Sequence, residues 1–177
     1  MQLIIGLGNP GEKYNNTRHN VGFQTLDSLA KKLDLNFSLE KKFNAEVAQT
    51  NLKDEKTIFA KPQTFMNNSG TAVQALVSFY KIDPKKDLTI IYDDIDLPIG
   101  EVRTSGQSAG GHNGMQSIIQ SLNTNEIQRF RIGVLNLPKE QISDTANYVL
   151  GNFSKEEQEI INKSIDQVIE KITKSAK

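Results

Sequence analysis

The chain contains no cysteine, which excludes disulfides and thiolate metal sites and fits a reducing compartment. It has only two histidines, so a histidine-rich metal centre is not expected. Neither sign of charge dominates. Lys and Arg number 21, as do Asp and Glu, so composition gives no general reason to expect nucleic acid, and any such contact needs a local basic patch. No apolar run approaches the length of a membrane span. The amino terminus leads straight into an apolar strand, without the charged and apolar regions of a secretion signal. A cytosolic protein with no membrane contact is expected. Internal repeats and low-complexity tracts are absent, and the length suits one globular domain over 1–177.

What is present is organised around residues 3–23. Leu3, Ile4 and Ile5 form an apolar run without polar alternation, the pattern of a strand buried on both faces at the centre of an α/β sheet. Gly6, Gly8, Pro10 and Gly11 stop it. Residues 12–20 have Tyr14 as their sole apolar side chain and so lack a face to hold a helix to a core. An ordered loop is expected there. Asn20 then stands in an N-cap position before Val21, Phe23, Leu26, Leu29, Ala30 and Leu33, which fall near helical spacing. His19 is thereby placed at a loop-to-helix junction beyond the carboxyl end of a central strand, where open α/β sheets bind ligands. Gly6, Gly8 and Gly11 also satisfy the G-x-G-x-x-G pattern of dinucleotide sites. That fingerprint needs the helix to open among the glycines, whereas Pro10 and the polar run delay it.

Three further polar stretches follow strands. After a mixed connection over 35–40, short strands are expected at 45–49 and 57–60 around a polar turn at 51–56. Residues 61–70 come next, with Ser69 placed to cap a helix whose apolar face is Val73, Leu76, Val77 and Tyr80. Phe65 and Met66 read either as core plugs or, beside Asn67 and Asn68, as a wall that is both apolar and hydrogen-bonding, suited to a ligand with a flat face and polar edges. Residues 88–92 are the clearest strand and end in Asp93, Asp94 and Asp96. Those acids read as a solvated turn, as a magnesium site, or as a source of one carboxylate near His19 that would fix the imidazole tautomer and favour its protonated form. Beyond a short strand at 101–104, the glycine-rich loop 105–114 carries His112 and opens a helix with Met115, Ile118, Ile119 and Leu122, whose amino end could receive an anion. Arg129 and Arg131 alternate with Phe130 in a strand continuing to Ile132 and Val134, which puts both guanidinium groups on one face, as a binding patch or a solvated edge. Finally, Ser143 or Asp144 starts a short helix through Leu150. Ser154 and Glu157 form a capping box for an amphipathic helix bearing Ile160, Ile161, Ile165, Val168, Ile169 and Ile172, expected to dock on the sheet and to fray over 174–177.

Two histidines in glycine- and asparagine-rich loops allow an enzyme with a histidine general base and amide side chains that fix substrate and water. No cysteine and no G-x-S-x-G serine is present for covalent chemistry. From residues alone this is a hydrolase-like α/β domain. The segments GLGNPGEKYNNTRHNVGF, KPQTFMNNSG, DDIDLPIG and AGGHNGMQSI resemble the signature segments of bacterial peptidyl-tRNA hydrolase, in the same order and along nearly the whole chain. The resemblance implies a single α/β domain, a mixed, twisted β-sheet flanked by α-helices. It implies a monomeric cytosolic enzyme, without metal or cofactor, that hydrolyses the ester joining a peptide to the 3′-terminal ribose of tRNA and so recycles tRNA from peptidyl-tRNA. Carried over by motif position, His19 is the general base that activates water, Asp93 the carboxylate that supports it, and Asn9 the residue that tells a blocked α-amino group from a free amine. Tyr14, Phe65, Asn67 and Asn113 then bind the tRNA end and the peptide, Met66 lines the pocket, and His112 supports the site. Phe65 or Tyr14 is also suited to stack on the terminal adenine.

The chain departs from the family pattern in its basic residues. Arg103-Thr104-Ser105 stands where the family is richer in lysine or arginine, and Gln116 where it has lysine. Gly133-Val134-Leu135-Asn136-Leu137-Pro138 replaces a glycine, isoleucine, glycine, arginine, proline run. Arg103, Arg129 and Arg131 remain as contacts for tRNA phosphates, and the neutral net charge predicts weaker, less salt-sensitive binding than a basic relative shows. Two other readings compete: a non-catalytic RNA-binding protein on the same fold, similar to plant splicing-factor relatives, which would tolerate loss of His19 or Asp93, and a nucleotide-dependent oxidoreductase.

Overall fold

In the computed structural model, which describes residues 1–175 and side chains through Lys174, the amino-terminal apolar run forms strand β1 (Gln2–Gly6). Leu3 and Ile5 enter the core on one side of the sheet and Ile4 on the other, so the run is buried on both faces. Strands β2 (Ser38–Glu40), β3 (Ala45–Leu52), β4 (Glu55–Pro62), β5 (Leu88–Pro98), β6 (Val102–Arg103) and β7 (Gln128–Leu135) join it in one sheet of order β2-β3-β4-β1-β5-β7-β6. β1 pairs in parallel with β4 and β5, and β5 with β7. The pairings of β2 with β3, β3 with β4 and β6 with β7 are antiparallel, which makes the sheet mixed, as expected.

Helices α1 (Val21–Leu33) and α5 (Lys155–Ser175) close one face over Ile4, Phe59, Ile91 and Val134. Helices α2 (Ser69–Tyr80) and α3 (Asn113–Leu122) close the other over Leu3, Ile5, Ile58 and Ile90. Each such buried Leu or Ile contributes about 1.5–3 kcal/mol, so the layered core fixes the strands and the polar loops are carried on its rim. A short helix, α4 (Thr145–Leu150), stands between β7 and α5 in the chain. Asp144 caps it, its side chain accepting from the Asn147 N–H at 3.1 Å. The capping box of α5 also forms: Ser154 N–H donates to Glu157 at 2.6 Å and Glu157 N–H to Ser154 Oγ at 3.2 Å. The tail anticipated at 174–177 lies partly outside the described residues; helix α5 itself runs to Ser175.

Local differences from the sequence expectations have clear causes. Residues 38–40, read as a mixed connection, pair as the edge strand β2. The turn anticipated over 51–56 tightens to Lys53 and Asp54, both at positive φ, because Asn51 still pairs with Lys56 and Leu52 with Glu55. β5 runs on past Tyr92, so Asp93 and Asp94 are strand residues paired with Ile132 and Gly133 of β7. Of the anticipated caps, those at Ser69 and Asn20 do not work as caps. Ser69 is buried as the first residue of α2 and donates to Met66 O at 2.8 Å, and the Asn20 side chain turns away from α1.

One glycine decides where the first polar loop ends. A Cβ on Gly22 would lie 2.4 Å from both Leu7 N and Ile91 O, so only glycine lets the first turn of α1 press onto the ends of β1 and β5. Phe23 N–H then reaches Leu7 O at 3.2 Å. His19, three residues before Gly22, is delivered over the carboxyl ends of those two strands.

Candidate active site

The carboxyl ends of β1 and β5, the start of α3, the 65–67 turn and α4 surround a cleft of about 750 Å³ lined by Asn9, His19, Phe65, Met66, Asn67, Asp93, His112 and Asn113 among others. The centre is Asp93, 2 % exposed. Its Oδ1 lies 2.8 Å from His19 Nδ1 and 2.9 Å from His112 Nε2. The His112 tautomer follows from a third contact: Nδ1 accepts the Met115 N–H at 3.1 Å, capping α3, so the ring hydrogen is on Nε2 and is donated to Asp93. Asp93 Oδ1 accepts from both rings. His19 therefore carries its hydrogen on Nδ1 and keeps the Nε2 lone pair free.

The electrostatics favour the same assignment. Burial alone would raise the Asp93 carboxyl; the attraction of His19 and His112 and their hydrogen bonds outweigh it and hold Asp93 well below the usual carboxylate range. For His19, burial opposes protonation, and the charge of Asp93 with its hydrogen bond prevails, so the imidazole is raised above its ordinary value. His19, Asp93 and His112 are the one group among the described residues with the spacing of a metal site. Their bonding does not suit a cation, because Met115 N–H occupies His112 Nδ1 and leaves its Nε2 without a lone pair to give.

Asn9 is fixed from both sides. Its N–H donates to Asn20 Oδ1 and its carbonyl accepts from Asn20 Nδ2, each at 2.9 Å. This clamp is the use to which Asn20 is put, and sequence reasoning missed it by reading the right residue as a helix cap. Asn9 Oδ1 accepts the Met66 N–H at 2.8 Å, so the amide presents its Nδ2 donor to the cleft. Met66 is buried at 4 % exposure, whereas Phe65 is 51 % exposed at φ 60°, a region a bulky residue rarely enters. The backbone turns the ring out to the rim. Asn67 and Asn113 are exposed beside it.

The remaining anticipated site residues divide. Arg129 is a correction: it is 2 % exposed, and its guanidinium donates to Ser108 O at 2.6 Å, Gln107 O at 2.9 Å and Asn125 O at 2.8 Å. It braces the glycine-rich loop from beneath and offers nothing to a phosphate. Arg131 is half-buried, its Nε on Asp94 at 2.7 Å and Nη1 on Ser105 O at 2.8 Å, while Arg103 is exposed and paired with Glu101. Tyr14 lies under the Lys13 ammonium, 4.8 Å from its ring centre, and does not line the cleft. The three acids do not converge: Asp93 serves the histidines, Asp94 serves Arg131, and Asp96 pairs with Lys139. That divergence overturns the magnesium reading. The α4 wall, with Thr145, Ala146, Val149 and Leu150, was not foreseen. No local signal marks it, since it reaches the cleft only through the tertiary fold.

Comparison with known proteins agrees along the whole length. A sequence model of the peptidyl-tRNA hydrolase family matches residues 3–177. The chain is 48 % identical over 159 residues to a peptidyl-tRNA hydrolase of Chloroflexus aurantiacus, covering 89 % of this chain and 83 % of that protein. It is 47 % identical over 173 residues to one of Fusobacterium nucleatum, covering 97 % and 85 %. A crystal structure of peptidyl-tRNA hydrolase from Acinetobacter baumannii superposes with a TM-score of 0.88 at 33 % identity, covering 97 % of this chain and 86 % of that one. The chain belongs to the peptidyl-tRNA hydrolase family.

Proposed function

We propose that this protein hydrolyses the ester joining a peptide, or another N-blocked aminoacyl group, to the 3′-terminal ribose of tRNA, recycling tRNA from peptidyl-tRNA. The observation that carries the reading is the 2.8 Å contact between His19 Nδ1 and Asp93, which leaves Nε2 as a base at the floor of an asparagine-lined cleft. A water held by Nε2 attacks the ester carbonyl carbon and gives its proton to His19. The tetrahedral adduct collapses with cleavage of the bond between that carbon and the ribose 3′-oxygen, which recovers the proton from His19. Asn67 and Asn113 supply amide donors for the developing oxyanion and the peptide backbone.

Specificity rests on Asn9. With Oδ1 bound to Met66 N–H, it offers only N–H donors. The carbonyl of a blocked α-amino group accepts such a donor, and the ammonium of an ordinary aminoacyl-tRNA cannot. Phe65, exposed at the rim, takes the terminal adenine by stacking. Tyr14, outside the cleft, and Arg103 and Arg131 meet the acceptor stem, so electrostatic anchoring is slight. His112 orients Asp93. The absence of cysteine fits action in the cytosol, where the protein acts as a monomer on this reading; no described helix is long and apolar enough to cross a membrane.

The test is release of label from N-acetyl-aminoacyl-tRNA beside the unblocked aminoacyl-tRNA. Cleavage of the blocked ester alone is expected. Binding of tRNA without cleavage of either would replace the hydrolase with a non-catalytic RNA-binding protein.

A further inference from the structure

Arg18 precedes His19 and takes no part in the chemistry above, yet the residue is only 9 % exposed and its side chain is bonded on several sides. Nη2 donates to both carboxylate oxygens of Glu157 at 3.0 Å, and Nη1 donates to Asn152 O at 3.0 Å. The guanidinium lies over the rings of Tyr148 and Phe153, 4.6 and 5.5 Å from their centres. Gly151 makes the room. A Cβ there would sit 2.9 Å from Arg18 Nη1, although its φ of −72° is open to any residue.

The backbone is fastened to the same segment. Arg18 N–H donates to Gly151 O at 3.0 Å, Phe153 N–H donates to Asn16 O at 3.2 Å, and Thr17 bridges to Asn152. Asn16, Thr17 and Arg18 bring no apolar side chain to the core, so hydrogen bonds and the contacts of the Arg18 guanidinium place this strap. The Glu157 carboxylate is a hub. It also accepts from Ser154 N–H at 2.6 Å and from Asn136 Nδ2, and so ties the strap to α5 and to the end of β7. Asn136, one of the departures from the family pattern, is thereby used inside the molecule.

Stability is a poor reason for this arrangement. A buried ion pair is weak support for a fold, and Arg18 Nε is the one buried side-chain nitrogen or oxygen without a partner among the described residues. Position is a better reason. The Asp93 bond fixes the tautomer and tilt of the His19 ring, while the height of its backbone depends on the strap. The strap is fastened to the segment that directly follows α4, the opposite wall of the cleft. We infer that Arg18 and Glu157 are positioning residues whose buried ion pair, through the 16–18 strap, holds His19 at a set spacing from the α4 wall.

The inference rests on the hydrolase reading. Steady-state kinetics on N-acetyl-aminoacyl-tRNA would compare the native protein with Arg18→Met, which keeps the stem and removes the fork, and Glu157→Gln, which keeps the size and removes the charge. Expected is a kcat lower by about 10- to 100-fold, the effect of moving a catalytic group by about 1 Å, with KM changed less than about threefold. In both variants the downfield Nδ1 proton resonance of His19 should broaden. Arg18→Lys, which keeps charge without the fork, should restore only part of the rate. A raised KM with unchanged kcat overturns the inference, as does a lower melting temperature with kcat and the resonance unaltered. Should Arg18→Met not fold, Glu157→Gln decides by the same criteria. An inactive native protein would overturn the hydrolase reading itself; fully active variants of an active protein overturn only the positioning.

Discussion

Two clefts lie at opposite ends of the sheet, and the larger is the less equipped. At the amino ends of the strands, a cleft of about 950 Å³ is bordered by Lys85, Lys86, Lys171, Glu55, Asp87 and apolar neighbours such as Ile4 and Phe130. Its lysines stand in solvent, and Lys85 and Lys86 pair with acids outside the cleft, Glu126 at 3.1 Å and Asp83 at 3.6 Å. At the carboxyl ends, the cleft of about 750 Å³ holds Asn9, His19, Asp93 and His112, none more than 9 % exposed. There the bonds that fix two of these groups also leave one atom of each unspent toward the space: Nε2 of His19 and Nδ2 of Asn9. Volume is common to both ends. What differs is polar groups immobilised with capacity to spare, the property that makes a cleft into a site.

The comparison can be broken most directly at His19. His19→Ala should lower kcat/KM for N-acetyl-aminoacyl-tRNA by about 10²- to 10⁴-fold; a loss below about tenfold would remove the base from the mechanism. Asp93→Asn should cost about 100-fold or more, because a neutral amide lacks the charge with which the carboxylate holds the imidazole N–H groups and supports a protonated His19. The same pair governs pH. The base must be neutral, so native kcat/KM should rise with pH through a value shifted up from that of an ordinary imidazole, and Asp93→Asn, which removes the group that raises His19, should move that limb to lower pH. The stability limb runs the same way, at lower pH. Asp93 is depressed in the folded state, so its contribution is complete above about pH 4 and is lost as the pH falls toward its folded value, which melting temperatures would record.

Smaller effects sharpen the contrast. Phe65→Ala should raise KM about 10- to 100-fold, the worth of one stacked base, with kcat within about threefold. At the other cleft, Lys86→Ala with Lys171→Ala should alter kcat/KM by less than about twofold at moderate salt, since exposed charges contribute little there. A larger change would make the amino end part of the tRNA footprint.

Much of this site was readable from the chain, for reasons local to particular residues. The both-sided burial of Leu3, Ile4 and Ile5 put β1 at the centre of the sheet. A polar loop after β1 and an acid after the next clear strand put His19 and Asp93 over paired neighbours. What stayed hidden depends on contacts that spacing does not encode. Arg129 and Arg131 share a face by alternation, yet one is buried under loop carbonyls and the other reaches Asp94. Phe65 looked as fit for a core as Met66 until a positive φ turned it outward. Asn20 and Ser69 stand where helix caps belong, and each was drawn to a nearer partner, Asn9 in one case and Met66 O in the other. The α4 wall arrives from more than a hundred residues away.

That last distance bears on how the molecule comes into being. Arg18 and Glu157 are 139 positions apart, and the loop they secure has no apolar grip of its own. Synthesis proceeds from the amino end, so His19 and the strands beneath it leave the ribosome well before the carboxylate that fastens its neighbour. On the positioning inferred above, the nascent chain would carry its proposed base on an untied loop until the first turn of the last helix has emerged, and hydrolytic competence would arrive late in translation.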